Sequence, residues 1–447
     1  MRRPSQFSLF SQSRFAPFFW TQFCGALNDN VFKTALLTAL TFDAMNWTTI
    51  DRATLNNLIP GLFILPFVLF SAVAGQLADK YEKSRFIRVV KLLEIAIMLV
   101  AGFGWLTHQL WLLIAAVMGM GLHSTLFGPV KYAYLPQKLR EEELVGGNGV
   151  VEMGTFVGIL LGEILGAVLV AHQPWGIELV ASGTLAIAVI GWLSSRAIPP
   201  CPAPAPTLAV NWNIVSESLR NIAFSRRNRT VFIAMLGNSW FWFYGAIVLA
   251  QFPLYAKQTL HGDHSVFMLL LTIFSLGIGV GSLLCERLSG RKIEIGLVPF
   301  GAIGLSVFGY DLYAASVAYQ GAIAVDATGL MQQAGSVRIL LDCLLIGAFG
   351  GLYIVPLFAL IQTRCDPSHV SRTIAGVNIL NALFMVAAAL AGMLLLRAGL
   401  AIAQVFLFTA VLNAMVTFGL FMAMPEFWAR FARWISLPFR RAATEPE

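Results

Sequence analysis

The stretch GQLADK at residues 75–80, followed by the basic Arg85, ends one long apolar run of the chain and decides its fold. A similar stretch, SLLCER at residues 282–287, is followed by Lys292 and ends another apolar run in the second half. Internal repeats of this kind are typical of secondary transporters, in which two related halves enclose the binding site. The repeat therefore predicts a duplicated membrane protein.

Composition indicates that the chain resides in a lipid bilayer. Hydrophobic residues make up 57% of the 447 residues and charged residues only 12%, whereas an ordinary soluble domain has about 25% charged residues. Apolar runs of about 20 residues are long enough to cross the hydrocarbon core. We predict an all-α membrane protein with twelve such spans, at residues 16–42, 54–78, 86–107, 109–135, 143–171, 175–195, 229–256, 265–288, 293–318, 335–361, 371–397 and 400–424.

The predicted domain organisation is two pseudo-symmetric bundles of six helices with cytoplasmic additions. The predicted parts are a cytoplasmic N-terminus (1–15), an N-terminal bundle (16–198), a cytoplasmic linker with an amphipathic segment (199–228), a C-terminal bundle (229–424) and an amphipathic tail (425–447). The linker begins with the run PPCPAPAP, which favours a stiff extended chain. Aromatic residues and arginines at helical spacing in the tail predict a helix on the cytoplasmic leaflet.

The basic residues predict the orientation of the spans. With the N-terminus inside, most of the 30 Lys and Arg fall in cytoplasmic loops and tails, so both termini are expected in the cytoplasm. The net charge of +7 then indicates contact with anionic lipid headgroups and gives no reason to expect a nucleic-acid partner. The five cysteines show no metal-type spacing, so we expect no metal and no cofactor, and the coupling ion stays open.

The repeated stretches contain the candidate gate residues. Asp79, with Lys80 and Arg85, stands at the cytoplasmic end of the second span. Glu286 with Arg287 stands at the corresponding end of the eighth span. We predict that each acid pairs with a neighbouring helix and latches the gate. The competing interpretation is the ordinary loop charge that the positive-inside rule predicts.

The first span carries the strongest single site candidate. Asp29, preceded by Asn28, lies close to the bilayer midplane, where a carboxylate is costly and is retained mainly for function. Lys33 follows at i+4, acid before base, so the two side chains share a helical face and can partly neutralise each other. The alternative interpretation makes Asp29 and Lys33 a purely structural pair.

Further polar residues complete the candidate substrate-binding set. Lys131, in the cytoplasmic third of the fourth span, can hold a phosphate or extend to the headgroups. Asn148 and Glu152 of the fifth span are four residues apart and face one way. The second half is rich in aromatic and amide groups, among which we nominate Tyr244 and Asn378. A cavity that is charged on one side and apolar on the other suits an amphiphile better than a sugar.

These motifs carry a family resemblance. GQLADK with its following base resembles the signature loop of the major facilitator superfamily, whose members fold as two six-helix bundles. The segments at residues 25–30, 61–80, 127–132 and 148–152 look like those of bacterial lysophospholipid transporters. The similarity is closest to the membrane portion that some relatives carry fused to an acyltransferase and an acyl carrier protein synthetase.

The resemblance implies a flippase. It implies that lysophosphatidylethanolamine and related lysophospholipids move by alternating access from the outer to the inner leaflet of the bacterial inner membrane, for reacylation in the cytoplasm. Asp29 and Glu152 would then meet the ammonium of the head group and Lys131 its phosphate. A cytoplasmic acyltransferase or acyl carrier protein synthetase is the implied protein partner, and we expect the chain itself to act as a monomer.

Two other functions stay open. A proton-coupled exporter of hydrophobic cationic drugs would use Asp29 or Glu152 to exchange a proton for the cation, and a non-transporting scaffold would only hold an acyltransferase at the membrane. The chain is not expected to be the acyltransferase itself, because none of its six histidines is followed by an aspartate with four residues between them. We therefore predict a transporter and not an enzyme.

Overall fold

A computed structural model gives the structure of the chain and describes residues 5–42, 52–321 and 325–442. Within these ranges the regular structure is almost entirely helical, with one isolated β-bridge between Gly262 and Val325. The prediction of an all-α protein is confirmed. Its physical reason is that a backbone in lipid must satisfy its own hydrogen bonds, which a helix does within one segment.

The α-helices follow one another with short connections. They are α1 Ala16–Phe42, α2 Arg52–Lys80, α3 Lys83–Leu106, α4 Leu110–Lys138, α5 Glu141–Ala171, α6 Gly176–Arg196, α7 Ile214–Arg226, α8 Arg229–Gln258, α9 His264–Leu288, α10 Leu297–Ala318, α11 Ala327–Gln332, α12 Ser336–Arg364, α13 Val370–Arg397, α14 Ile402–Ala423 and α15 Pro425–Ala442. The predicted spans coincide with twelve of these helices to within a few residues at each end.

Ten helices in the described ranges are long and apolar enough to cross a membrane, so the chain is a multi-pass membrane protein. α1 and α3 are not among the ten. Each carries charged side chains in its interior, such as Asp29 in α1 and Glu94 in α3. The count of twelve spans stays a prediction.

The chain folds as two compact units. Unit 1 takes residues 1–140, 154–228 and 365–382, and unit 2 takes residues 141–153, 229–364 and 383–447. Each unit therefore contains most of one sequence half and a short segment of the other half. The first part of α13 belongs to unit 1 and the first part of α5 to unit 2. The bundle boundaries expected from the sequence stay a prediction.

Glycines bring α1 and α5 close together in unit 1. A Cβ atom at Gly162 would lie 2.6 Å from the carbonyl oxygen of Leu27, and one at Gly166 would lie 2.5 Å from that of Val31. Rows of small residues are the usual contact surface of packed membrane helices, because they let two backbones approach. This contact fixes the position of α1 in unit 1, and with it the position of Asp29.

Unit 2 is built around α9 and α12, which also meet at glycines. A Cβ at Gly351 of α12 would lie 2.5 Å from the backbone nitrogen of Ser282 on α9. α8 packs against this pair and carries buried aromatic side chains, among them Trp240, whose Nε1 donates a hydrogen bond of 2.8 Å to Asn413. The aromatic side chains of α8 are therefore part of the packed core of unit 2.

The proline-rich linker lies against unit 1, and we call residues 199–211 the strap. The backbone N–H of Cys201 donates to Glu82 at 2.5 Å, and the Cys201 carbonyl accepts from the N–H of Lys83 at 2.9 Å. At the other end of the strap, the side chain of Gln76 makes hydrogen bonds of 2.7 and 3.0 Å with the backbone of Asn211. The strap is thus tied to the start of α3 at one end and to α2 at the other.

Glu82 is the main anchor of the strap. Partial burial raises the pKa of this carboxyl, but hydrogen bonds from the backbone N–H groups of Cys201, Ser84 and Arg85 outweigh the burial, so the pKa lies below its ordinary value. The Ser84 and Arg85 contacts also cap the first turn of α3. One side chain therefore serves both a helix end and the strap.

The tail forms a helix, as its residue spacing predicts. Phe427 and Phe431 of α15 are buried, Trp428 is exposed, and Trp434 donates through Nε1 to the carbonyl of Leu288 at 2.8 Å. One face of α15 thus packs on other helices of unit 2, and the opposite face is open. Its expected position on the cytoplasmic leaflet stays a prediction.

Candidate functional site

Asp29 lies at the middle of α1 and faces α4. Its Oδ2 accepts a hydrogen bond of 2.5 Å from the hydroxyl of Ser124, and Asp29 is only 8% exposed. Its Oδ1 has no hydrogen-bond partner among the residues that the structure describes. A buried carboxylate with one oxygen still open is an acceptor that suits an ammonium group.

Asn28, the neighbour of Asp29, points into a buried ionic cluster instead. Its Nδ2 donates to Oε1 of Glu94 at 2.7 Å. The other oxygen of Glu94 forms an ion pair with Lys91 and lies 3.2 Å from Nε2 of His123. These four residues are at most 2% exposed. Asn28 and Asp29 are consecutive residues of α1. The contact of Asn28 with the cluster therefore fixes the rotation of α1 about its axis, and with it the direction of Asp29.

Lys33 makes an aromatic contact. Its ammonium lies 4.6 Å from the ring centroid of Phe63 on α2, within the range of a cation–π interaction. The hydrogen bond of Asp29 goes to Ser124 on α4. The acid and the base that share a face of α1 thus make close contacts with different helices.

A second polar group surrounds Lys131 on α4. Its Nζ donates to the hydroxyl of Thr155 at 2.8 Å, and that hydroxyl donates to Oε1 of Gln22 at 3.1 Å. The ammonium also lies 5.0 Å from the ring centroid of Tyr132. Lys131 is 9% exposed, so its charge is held inside unit 1.

Unit 1 also contains Asn378, from the first part of α13. A Cβ at Gly128 would lie 2.5 Å from Nδ2 of Asn378, so the amide rests directly on the backbone of α4 one turn before Lys131. A larger residue than glycine at position 128 would push this amide away. Among the candidate substrate-binding residues, unit 1 thus contains Asn28, Asp29, Lys33, Lys131 and Asn378.

The remaining candidates belong to unit 2. Asn148 and Gln362 form a reciprocal amide pair, with hydrogen bonds of 2.7 and 3.1 Å between α5 and α12. Tyr244 donates to the carbonyl of Leu305 at 2.9 Å. Glu152 is 2% exposed. The contacts of Asn148 and Tyr244 give both residues a structural role in holding the helices of unit 2.

Asp79, the first of the candidate gate residues, contacts the start of α13. Its Oδ1 accepts from the backbone N–H of Ser371 at 3.2 Å, and its Oδ2 accepts from the backbone N–H and Nε of Arg372 at 3.4 and 3.0 Å. Both donors belong to the first turn of α13, whose free N–H groups attract negative charge. Asp79 is fully buried, and it both caps α13 and pairs with its arginine.

The other candidate gate residues make local contacts. Glu286 lies 3.4 Å from the guanidinium of Arg291 in the following loop, and Arg287 is exposed. The ammonium of Lys80 lies 5.9 Å from the ring of Tyr81, and Arg85 donates its backbone N–H to Glu82. The gate function of the whole set stays a prediction.

Among the residues that contact the candidates but were not nominated from the sequence are Gln22, Ser124, Thr155 and Arg372. Ser124 precedes Lys131 by seven residues, which is two helical turns, so a search of the same helical face would have found it. No sequence pattern pointed to Arg372, because its partner Asp79 is distant in the sequence and no helical periodicity links the two residues. Contacts between segments that are distant in the sequence can be identified only from the folded structure.

Solved structures share this fold. The human organic anion transporter MFSD10 superposes with a TM-score of 0.70 at 15% identity, covering 91% of this chain and 99% of that chain. The Escherichia coli fucose:proton symporter FucP gives a TM-score of 0.68 at 15% identity, covering 92% and 98% of the two chains. At these identities the likeness shows the fold alone.

Curated bacterial relatives are similar in sequence. The lysophospholipid transporter LplT of Serratia proteamaculans (strain 568) is 25% identical over 306 residues, which are 68% of this chain and 69% of the relative. The protein of the same name from Enterobacter sp. (strain 638) is 26% identical over 349 residues, or 77% and 78% of the two chains.

The family assignment depends on a longer match. The sequence model of the Major Facilitator Superfamily matches residues 18–383, most of the chain and both repeated stretches. The resemblance that residues 75–80 suggested is thereby confirmed, together with the membrane fold that it implied. The chain belongs to the Major Facilitator Superfamily.

Proposed function

We propose that the protein transports lysophospholipids across the membrane. The observation that carries this proposal is the presence of opposite buried charges in unit 1, each beside a hydroxyl: Asp29 beside Ser124 and Lys131 beside Thr155. Charged side chains within membrane spans are costly and are kept where they serve a substrate or a partner. A head group with an ammonium and a phosphate supplies a counter-charge to each of them.

The relatives support the same class of substrate. Two of them are named lysophospholipid transporters and are similar over about two thirds or more of their length. The chemistry agrees with the name, because the buried Asp29 and Lys131 offer opposite charges to a zwitterionic head group. A sugar would require many hydrogen-bonding groups, whereas a single-chain lipid requires a polar site for its head and an apolar path for its tail.

The proposed substrate is lysophosphatidylethanolamine, with related lysophospholipids, taken from the outer leaflet and released into the inner leaflet of the bacterial inner membrane. A separate cytoplasmic acyltransferase then reacylates the lipid, and the chain acts as a monomeric transporter with no catalytic step of its own. Glu152 is proposed as a second carboxylate for the ammonium. The distribution of Lys and Arg supports cytoplasmic termini.

Alternating access requires contacts that form and break at the cytoplasmic ends of the helices. The contact of Asp79 with Arg372 is the proposed latch, because it joins the end of α2 to the start of α13. Lys80, Arg85, Glu286 and Arg287 are proposed to assist it.

Uptake into reconstituted vesicles tests this function. Labelled lysophosphatidylethanolamine is added outside, and albumin then removes the label that remains in the outer leaflet. We expect wild-type vesicles to protect the label, and Asp29→Asn and Lys131→Met to reduce the rate about tenfold or more, because each loses a hydrogen bond to a charged group. Glu178→Gln and Lys257→Gln, at exposed positions, are matched controls that should keep the wild-type rate.

Two outcomes would refute the proposal. Wild-type vesicles that leave the lipid extractable but expel a cationic dye would favour a drug exporter. Movement of neither compound would favour a scaffold for an acyltransferase.

A further inference from the structure

The amphipathic helix α7 has its polar side turned inward and its apolar side turned outward. Glu217, Asn221 and Ser225 follow one another at intervals of four residues and are buried. On the opposite face of the helix, Val215 is 69% exposed and Leu219 is 65% exposed. A helix on the surface of a soluble domain normally has the reverse arrangement, with its apolar stripe facing the core. The outward face of α7 is therefore suited to a partner that is less polar than water.

Trp212 extends this apolar face at the start of the helix. It precedes Val215 by three residues and Leu219 by seven, which is the spacing of one helical face, and it is 69% exposed. Ala223, four residues after Leu219, is exposed on the same side. A contiguous row of exposed apolar residues marks an interaction surface, whereas single ones need no explanation. We call Trp212, Val215 and Leu219 the outer stripe.

The exposed charge beside the outer stripe is positive. The side chain of Arg220 is 67% exposed, and Arg226 and Arg227 are exposed at the end of the helix. Glu217 is the only acidic residue between positions 212 and 228, and it is 2% exposed and lies 3.7 Å from Arg220. The surface thus combines an apolar row with arginines, which is the combination with which amphipathic helices bind anionic lipid.

Contacts with two helices hold α7 at the level of the bilayer surface. The backbone of Asn211, just before α7, is hydrogen-bonded to Gln76, which stands four residues, or about 6 Å, before the end of α2 at Lys80. Near the other end of α7, the ring of Phe224 stacks on His369 just before α13, with 4.1 Å between the ring centroids. Both α2 and α13 are long and apolar enough to cross a membrane. Their ends mark the headgroup region, and α7 is attached to both.

The size of the surface favours a lipid leaflet over a protein. α7 has 13 residues and is about 20 Å long, and the outer stripe has few side chains. A stable protein interface buries about 800 Å² on each partner. An amphipathic helix in the headgroup region needs only one apolar face and neighbouring positive charges. We propose that the outer stripe, with Arg220, Arg226 and Arg227, docks on anionic lipid of the cytoplasmic leaflet.

Docking of α7 also holds the latch. Gln76, which holds the start of α7, is three residues before Asp79, and His369, on which the end of α7 rests, is three residues before Arg372. The backbone N–H of Ala205 donates to the carbonyl of Asp79 at 3.0 Å. The linker thus contacts the chain beside both members of the Asp79–Arg372 pair. A docked α7 slows the opening of this pair, a consequence that rests on the proposed function because it takes the pair to be the transport latch.

A fluorescent label tests the docking. The five native cysteines are buried, so Ala223→Cys gives an exposed thiol on the outward face for an environment-sensitive dye. The labelled full-length protein is placed in nanodiscs of phosphatidylcholine alone, or of three parts phosphatidylcholine to one part phosphatidylglycerol. We expect iodide to quench the dye about threefold less in the mixture, because each arginine near an anionic surface strengthens binding about fivefold.

Charge variants of the labelled protein show whether the arginines are responsible. Arg220→Gln with Arg227→Gln should lose the protection that the mixture gives. Arg220→Lys with Arg227→Lys is the matched control, because it keeps both charges, and it should keep the protection, as should Lys257→Gln. Equal quenching of the wild type in both lipids, or equal protection in the glutamine and lysine variants, would overturn the proposal. Protection that appears only after a cytosolic extract is added would assign the surface to a protein and overturn the proposal as well.

Amide hydrogen exchange tests the hold on the latch. Residues 370–374, at the start of α13, should exchange about threefold more slowly in the mixed nanodiscs than in phosphatidylcholine alone, because opening of the latch exposes this turn. The double glutamine variant should show no such difference between the two lipids. Protection of the dye without any change in this exchange would refute the hold on the latch.

The dye and exchange measurements do not depend on transport, so they separate this inference from the proposed function. A wild type that docks as expected but leaves lysophosphatidylethanolamine in the outer leaflet would refute transport and leave the docking surface intact. A wild type that transports the lipid, with iodide quenching that is indifferent to phosphatidylglycerol, would refute the docking surface and leave transport intact.

Discussion

The carboxylate of Asp79 lies 3.0 Å from the guanidinium of Arg372, across 293 residues of sequence. The same carboxylate accepts the backbone N–H of Arg372, so one side chain neutralises the arginine and caps the helix that carries it. Both residues are buried, where a charge-assisted hydrogen bond is stronger than at the surface. The contact therefore has the strength that a latch between α2 and α13 requires.

Neutralising Asp79 should slow transport without abolishing lipid binding. Asp79→Asn keeps the shape of the side chain but loses the hydrogen bond between charged groups that joins it to Arg372, and such a bond is worth about 1.5–3 kcal/mol. We expect the uptake rate to fall about tenfold and the affinity for lysophosphatidylethanolamine to stay within about twofold. Glu142→Gln, at an exposed position, is the control. Unchanged uptake rates in Asp79→Asn would refute the latch.

Two glycines of α2 offer a matched test of the same contact. A Cβ at Gly75 would lie 2.6 Å from that of Ala375 and 2.9 Å from the Cα of Arg372, whereas a Cβ at Gly61 meets no atom within 4 Å. Gly75→Ala should therefore destabilise the protein by about 1–3 kcal/mol through overpacking. Gly61→Ala should be neutral or slightly stabilising. Thermal unfolding in detergent measures both, and equal effects would contradict the close packing.

The ionic cluster of Glu94 should be a strong determinant of stability. Glu94→Gln leaves the charge of Lys91 buried without its carboxylate, and breaking such a buried pair costs about 3–5 kcal/mol. The double variant Lys91→Met with Glu94→Leu removes both charges and should recover much of that loss. Thermal unfolding of the single and double variants gives the comparison. A double variant less stable than Glu94→Gln would show that the cluster acts in another way.

The strap should respond to acid through Glu82. A carboxyl whose pKa is lowered by folding stabilises the folded state above its unfolded pKa, and the contribution disappears as the pH falls through the folded pKa. We expect amide hydrogen exchange in residues 199–211 to be slow at neutral pH. It should rise, relative to the intrinsic rate, only below the ordinary pKa of a glutamate.

Glu82→Gln should give rapid exchange in the strap at neutral pH as well. Glu142→Gln, an exposed glutamate of the same charge, should leave the exchange unchanged. Equal protection of residues 199–211 in Glu82→Gln and the wild type would show that Glu82 does not anchor the strap.

The helices could be predicted from the sequence because the length of an apolar run is a local property. The bounds of α1, at residues 16–42, coincide with the predicted span. The position of Asp29 at mid-helix could also be predicted, since a carboxylate in the middle of an apolar run is conspicuous. The family could be inferred because residues 75–80 form a short contiguous motif.

The partners of the site residues could not be predicted in the same way. Thr155 contacts Lys131 and Arg372 contacts Asp79 through tertiary packing, which leaves no periodic pattern in one sequence. The nomination of Asn148 for substrate binding gave no indication of its pairing with Gln362, because that partner stands on a helix of the other sequence half. Local spacing predicts which face a residue occupies, and only the packed helices show what it touches.

The attachment of the strap determines where the chain can be cut into two fragments that still fold together. The proline run would ordinarily be chosen as the site for separating two halves, but residues 199–228 belong to unit 1 and are tied to Glu82 and Gln76. A cut after Asn228 leaves these ties whole in the first fragment. Co-expressed fragments 1–228 and 229–447 should reassemble, with residues 365–382 of the second fragment supplying the missing piece of unit 1.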